Sequence, residues 1–396
     1  NIRGIRQILY FTYKLAIPYD SSTKSKVVGE FEATEADLGE IPDSAFAGPV
    51  LLHARRLISR VLCNVDHREI TPRHGPGAVA TGETYTRKSI FSRLYPEIDR
   101  VYPYTEYFTL VNSDLDHLEL QGLKVLESPT AKVALVDKDS RGPRLISAEP
   151  LELQWLQQGL GRALMCAIEK HRLTKGYVNF TNQEVNRELA RFGSENRSWV
   201  TLDMKEASDR VDSRLVSALF GGVGCYEGLK VLRSTHTKLP DGRILPLKKY
   251  APMGSALCFP VESLCFWALA VAVIRIHGHV SAAKAQTSVY VYGDDIIVPR
   301  EFYPLLLQYF PTVGLKFNEG KCCTEGFFRE SCGCEAYMGF DVKPTRIRAV
   351  WSRRRRPEVL AAYVSYCNSL RARGFTGTAD MIHAQVEALW GPLPYL

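Results

Sequence analysis

Tyr290-Val291-Tyr292-Gly293-Asp294-Asp295-Ile296-Ile297-Val298 is the stretch whose reading decides the fold. Apolar and β-branched residues flank a Gly-Asp pair, the pattern of two short strands joined by a tight turn. Gly293 gives a backbone that tolerates φ > 0 and lets a neighbour approach closely. Two adjacent carboxylates then stand at the turn. Like charges this close repel, so displaying them together makes sense where they share a cation. Oxygen ligands with room for water suit Mg²⁺. An acidic, merely solvated hairpin turn reads the same way in isolation, so partners elsewhere must decide.

Working outward, three further segments carry chemistry. The text AKVALVDKDSRGPRLI (131–146) predicts a hairpin, with Asp137 to Pro143 as its turn and Lys132, Lys138, Arg141 and Arg144 as cations suited to a triphosphate. The alternative for these four is an ordinary charged turn. Ser198 to Asp203 predicts a strand ending in an acid, followed by Ser208, Asp209 and a helix; a carboxylate at a strand exit is either a metal ligand or a helix cap. After a strand over 243–250, the loop Ala251 to Ala256 opens a helix over Phe259 to Ile276. Its N-terminal N–H groups make Gly254 and Ser255 a candidate phosphate or ribose site, against a plain helix start.

Composition sets the limits. The chain has 396 residues, 45% hydrophobic and 23% charged, a globular balance with ample material for a core. Lys plus Arg outnumber Asp plus Glu by 50 to 43, with a pI near 8.8, which permits a polyanionic partner without demanding one. Ten cysteines include no Cys-x-x-Cys pair, and Cys322, Cys323, Cys332 and Cys334 miss the common zinc spacings, so reduced thiols are expected. The longest apolar run, Leu264 to Ile274, is short of the ~20 residues of a membrane span and predicts a buried helix. No signal peptide is visible, and a start at Asn1 rather than Met leads us to expect a missing N-terminal piece. Helical patterning runs from Leu51 to Leu62 and from 150 to 172. Arg73-His74-Gly75-Pro76-Gly77 marks a fixed loop, and Arg353 to Arg356 is a basic block that either grips a phosphate backbone or forms a solvated face.

The order of these pieces is what makes them specific: basic hairpin, strand ending in Asp203, Gly254-Ser255 loop with a long helix, Asp294-Asp295 hairpin, Lys321 turn. It resembles motifs F, A, B, C and D of viral RNA-dependent RNA polymerases, most closely the replicase subunits of the leviviruses. The residues carrying the resemblance are Asp203-x5-Asp209, Met253-Gly254 with Glu262-Ser263-Leu264, and Tyr292 to Ile297. Phe328-Arg329-Glu330-Ser331-Cys332-Gly333 and Asp341-Val342-Lys343-Pro344 with Ile347-Arg348 add the phage character. The resemblance covers roughly residues 70 to 350.

That resemblance implies an α+β right-hand polymerase fold, with an antiparallel palm sheet flanked by helices. We expect an N-terminal region and fingers over 1–130, further fingers with the basic hairpin and a palm-entry helix over 131–198, palm over 199–348 and a short thumb over 349–396. It also implies RNA-directed RNA synthesis for a positive-strand RNA phage. Two Mg²⁺ ions about 3.5–4 Å apart, with Mn²⁺ as a substitute, would be shared by Asp203 and Asp294. Met204 joins the ligand set and Asp295 is a peripheral member. Lys321 is the candidate general acid, the four hairpin cations meet the triphosphate, and Ser208, Asp209, Gly254 and Ser255 meet the ribose. Arg353, Arg354, Arg355 and Arg356 are the RNA-binding candidates. Implied partners are RNA template and product, NTPs, and host elongation factors Tu and Ts with a ribosomal protein, in the host bacterial cytoplasm and without a membrane.

Two departures from the pattern stand out. Where many viral polymerases carry Thr and Asn after the motif B Gly, this chain has Cys258 and Glu262; the Glu agrees with the phage subgroup. About a hundred residues follow Asp295, which fits either a compact relative or an incomplete C-terminus. The rival readings are a narnavirus- or mitovirus-like replicase, a reverse transcriptase, and a non-catalytic RNA-binding protein on a polymerase scaffold. Reverse transcriptases usually carry a bulkier apolar residue where Gly293 stands.

Overall fold

The computed structural model describes residues 1–109 and 122–393. Its described residues divide into two compact units. One contains residues 28–134 and 145–339; the other contains 1–27, 135–144 and 340–396.

The larger unit is built around a four-stranded antiparallel sheet. Its order is Lys316–Phe317, Trp199–Lys205, Asp295–Pro299, Tyr290–Tyr292. Val200, Leu202 and Met204 alternate with Asp203 along the central strand, and all three apolar side chains are buried. That period of two places the acid on the face opposite the packed core. Beneath the sheet runs Cys258–His277, the helix expected over Phe259 to Ile276. It is 20 residues long and apolar enough to cross a membrane, yet 83% of its most apolar window is buried inside the unit. It packs against the helix Pro49–Val61 and the strand Tyr290–Tyr292. Apolar residues around its whole circumference, among them the fully buried Trp267 and Phe266, explain why it reads like a span and behaves as a core. Each such side chain contributes roughly 1.5–3 kcal/mol by leaving water.

The helix expected over 150–172 is observed as Leu151–Lys170. The loop Arg73 to Gly77 is held by Lys88, a buried lysine whose Nζ donates to the carbonyls of Gly75 and Gly77 and to Gln154 Oε1. Two predicted boundaries differ. The strand over 243–250 shrinks to Ile244–Pro246, because the Lys248 N–H goes to the Glu35 carboxylate and the Lys249 side chain turns inward to Glu35 and Asp209. The basic hairpin has strands Thr130–Asp139 and Gly142–Ala148, leaving only Ser140 and Arg141 as its turn. Asp139 closes the turn early: its carboxylate accepts the Arg141 N–H at 3.1 Å and the guanidinium at 2.8 Å.

The smaller unit has its own core. Tyr363, Cys367 and Leu370 of the helix Pro357–Ala372 meet Ala379, Ile382 and Val386 of the helix Thr376–Trp390. Gln7, from the helix Ile2–Tyr10, clamps Thr345 by giving its amide N–H to the Thr345 carbonyl (2.8 Å) and accepting the Thr345 N–H (2.9 Å).

Candidate active site

Local chemistry places the two carboxylates. Strand Trp199–Lys205 pairs with Asp295–Pro299 so that Asp203 lies opposite Asp295. The turn between the two C-proximal strands consists of Gly293 and Asp294 alone. Gly293 adopts φ +62°, and a Cβ there would come within 2.5 Å of the Phe259 ring. Its N–H also donates to Ser263 Oγ at 3.2 Å. The buried helix therefore seats the turn and leaves no space for the bulkier residue of a reverse transcriptase. Asp294 is exposed at the tip, and its carbonyl accepts the Met204 N–H at 3.3 Å, which draws the turn onto the Asp203 strand.

Asp203, Asp294, Asp295 and Lys321 line one cleft of about 140 Å³, together with Glu330, Cys332 and Gly333. Lys321 ends the turn that begins at Asn318, and its Nζ stands 3.1 Å from both carboxylate oxygens of Asp203. Burial works against the lysine's charge, but Asp203, with help from Glu330 and Asp294, holds its pKa above the ordinary value. Asp295 faces the other way in part, with Oδ2 accepting the Cys332 N–H at 2.8 Å. Burial, then the charges of Asp294 and Asp203, push its pKa up to about 7. Cys332, at φ +48°, is bent into a hairpin between Phe328–Ser331 and Cys334–Tyr337 that the fully buried Arg329 ties to the Trp199 carbonyl at 2.6 Å.

Among the described residues, no three Asp, Glu, His or Cys side chains close on a common point. A cation here would draw on two protein carboxylates and complete its shell with water and substrate phosphate, a donor set that fits a hard divalent ion. The side chain of Met204 is buried in the core, so only its main chain is available to that shell.

The other expected residues fall in different places. Ser208 and Asp209 sit in the single helical turn Ala207–Arg210, beside Cys258 and Glu262. The Cys258 thiol donates to Glu262 Oε2 at 3.6 Å. Burial and the nearby Asp294 charge push the Glu262 pKa well above the carboxylate range. Gly254 adopts φ +129°, where a Cβ would meet the Ser147 carbonyl at 2.1 Å, while the Met253 carbonyl accepts the Ser147 N–H at 2.8 Å. Ser255 is buried and accepts the Leu257 N–H at 3.3 Å, stiffening the entry to the helix. Both residues thus have packing tasks that the sequence left open.

Lys132 is exposed on a strand of the larger unit, beside His236–Lys238. Lys138, Arg141 and Arg144 belong to the smaller unit. So does the block Arg353 to Arg356, in which Arg355 donates to the Leu389 carbonyl at 3.0 Å and thereby ties the segment before the helix Pro357–Ala372 to the helix Thr376–Trp390. Sequence reading missed Lys249, which is fully buried between Asp209 and Glu35 at 3.5 Å from each. Nothing local marks a lysine whose partners lie 40 residues before it and more than 200 before it.

Comparison with known proteins follows the same line. The RNA-directed RNA polymerase subunit beta of Qbeta virus (strain MX1) is 32% identical over 308 residues, covering 76% of this chain and 50% of the relative. The RNA-directed RNA polymerase beta chain of Escherichia phage MS2 is 34% identical over 245 residues, covering 62% of this chain and 42% of its own. The chain thus spans about half the length of the curated relatives it matches. In fold it resembles the RNA-dependent RNA polymerase of bacteriophage phi12, with TM-score 0.54 at 13% identity over 99% of this chain and 73% of that one. The insertion loop deletion mutant of the RNA-dependent RNA polymerase of a human picorbirnavirus gives 0.52 at 11% identity, over 96% and 79%. The α+β fold is therefore that of the right-hand polymerases. The family model for RNA replicase, beta-chain, matches residues 47–384, and the chain belongs to that family.

Proposed function

We propose that this chain is the catalytic part of an RNA-directed RNA polymerase that copies a positive-strand RNA phage genome in the host bacterial cytoplasm, joining NTPs to an RNA 3′-hydroxyl. The observation that carries the reading is the pairing of Asp203 with Asp295 across two antiparallel strands, with Asp294 on the adjoining turn and all three in one cleft. Like charges lining one cleft repel, so their gathering makes sense where a divalent cation offsets them.

Asp203 and Asp294 would hold Mg²⁺, with Asp295 and the main chain of Met204 at the periphery and Mn²⁺ as a substitute. Two such ions, when bound, activate the 3′-hydroxyl and offset the charge of departing pyrophosphate. The protein's own groups do the rest. Lys321 brings a cation to the cleft, 40% exposed and able to turn from Asp203 toward pyrophosphate as a proton donor. Lys132, Lys138, Arg141 and Arg144 offset triphosphate charge, as the family resemblance suggests. Asp209 and Ser208 accept and donate hydrogen bonds to the ribose hydroxyls, with Gly254 and Ser255 fixing the adjacent loop. Arg353 to Arg356 contribute phosphate contacts to RNA. Elongation factors Tu and Ts and a ribosomal protein are the host partners that the resemblance suggests.

Primed and unprimed synthesis by the purified chain tests this, with labelled NTPs, an RNA template and graded Mg²⁺, with and without bacterial extract. We expect ribonucleotide incorporation that requires the divalent ion and disappears in Asp294→Asn while RNA binding persists. Undiminished synthesis by that variant would remove the metal assignment.

A further inference from the structure

Lys249 is a costly residue where it stands. Its ammonium is fully buried, 3.5 Å from Asp209 Oδ1 and 3.5 Å from Glu35 Oε1, with the Phe31 ring centroid 3.3 Å away and the Phe31 carbonyl at 3.4 Å. Removing an ammonium from water costs several kcal/mol before any partner returns it, and an apolar side chain would fill the same space more cheaply. A charge kept under those conditions has work to do on its neighbours. Glu35 is itself sealed, and its other oxygen accepts the Lys248 N–H at 2.6 Å. Asp209 differs, because its side chain remains 22% exposed.

The surroundings are held just as firmly. Thr34 donates to Glu206 at 3.2 Å, and Arg210 reaches Asp37 at 3.1 Å and Glu206 at 2.8 Å. Lys316, on the edge strand of the acidic sheet, reaches the same Asp37 at 2.7 Å. Thr34, Glu35 and Asp37 all lie on the helix Ser21–Gly39, and Glu206 to Arg210 is the turn that follows the Asp203 strand.

We propose that Lys249 is a positioning residue for Asp209, and that the helix Ser21–Gly39, acting through Lys249, sets how strictly the site prefers a ribonucleotide to a deoxyribonucleotide. The inference rests on the reading of Asp209 as a ribose contact. Lys249 stands 3.5 Å from the buried oxygen of Asp209 and attracts it, against the burial that raises that carboxyl's pKa, so the exposed part of the carboxylate keeps one orientation toward a sugar hydroxyl. Glu35 supplies the second negative charge, which keeps the ammonium from being over-committed to Asp209.

The test compares kcat/KM for ATP and for 2′-deoxyATP on a primed RNA template. Both substrates are turned over by the same folded molecules, so a variant that is merely unstable loses both equally and leaves their ratio unchanged. Lys249→Met is expected to lower the ratio about tenfold, equivalent to ~1.4 kcal/mol of ion-pair attraction across 3.5 Å. Glu35→Gln should lower it less, and Lys249→Met added to Asp209→Asn should lower it no further. An unchanged ratio in Lys249→Met, with a lowered one in Asp209→Asn, overturns the positioning role and leaves the ribose reading intact. An unchanged ratio in Asp209→Asn overturns that reading, and the inference with it. If Lys249→Met does not fold, Glu35→Gln decides: a lowered ratio supports the proposal and an unchanged ratio overturns it. If turnover is too slow to measure, the ratio of dissociation constants for the two nucleotides carries the same comparison.

Discussion

Two aspartates six residues apart, Asp203 and Asp209, are each held by a lysine, and the two pairs are built in opposite ways. Lys321 touches both oxygens of Asp203 at 3.1 Å with 40% of its side chain in solvent. Lys249 touches one oxygen of Asp209 at 3.5 Å with none of its side chain in solvent. The exposed lysine is cheap to move, because water takes over its ammonium as it parts from Asp203. The sealed lysine is expensive to part from Asp209, because its ammonium has no water to go to. A site that must exchange a counterion for substrate and metal needs the first kind. A site that must present one fixed acceptor needs the second.

The sharpest break in this picture would come from the cleft itself. Asp294→Asn removes a proposed metal ligand from the tip of the turn, and we expect nucleotide incorporation to fall about 10³-fold or more, equivalent to ~4 kcal/mol in the barrier. Single-turnover incorporation at saturating Mg²⁺ measures it. Next in size is the sealed pair: Lys249→Met should cost about 3–4 kcal/mol of stability in urea unfolding, because it strands Glu35 and Asp209 without their cation. A loss below 1 kcal/mol would show that the charges were never isolated from water.

Glu149 supplies a third case, a carboxylate buried with little cationic help. Burial pushes its pKa up to about 7, against hydrogen bonds from Ser234 and Gln157 and the more distant charge of Arg233. The folded state disfavours the charged form, so its penalty is absent below the unfolded value of 4.5 and complete above about 7. Stability should therefore fall by roughly 3 kcal/mol as pH rises through that window. Glu149→Gln should flatten the fall, as chemical denaturation at pH 4.5, 6 and 8 would reveal. The smallest effect belongs to the exposed pair: Lys321→Met should change stability by less than about 1 kcal/mol. A larger loss would mean that the two lysines are less different than their exposure indicates.

How much of this was legible beforehand depends on distance along the chain. The Gly293-Asp294 turn, the Asp203 strand and the helix Cys258–His277 are announced by adjacent residues: period-two patterning, a glycine at the turn and a continuous apolar run. The hairpin turn at Ser140-Arg141 is tighter than the sequence predicts because the signal that closes it is a side chain, Asp139, reaching across its own turn. The sequence offers Gly254 and Ser255 as ligand groups, while their packing against Ser147 and the start of the helix follows only in three dimensions.

By itself the sequence determined the order of the motifs, the strand-turn-strand that displays Asp294, and the acid at the end of its neighbouring strand, since each follows from backbone preferences within a few residues. Tertiary structure alone decided which lysine each aspartate meets. Lys321 and Lys249 are the same residue type, and their difference is solvent, which is set by what packs over them. That packing comes from Phe31 and Glu35, far away in the chain. The energy of an ion pair depends on the dielectric around it, and no local stretch of sequence carries that information.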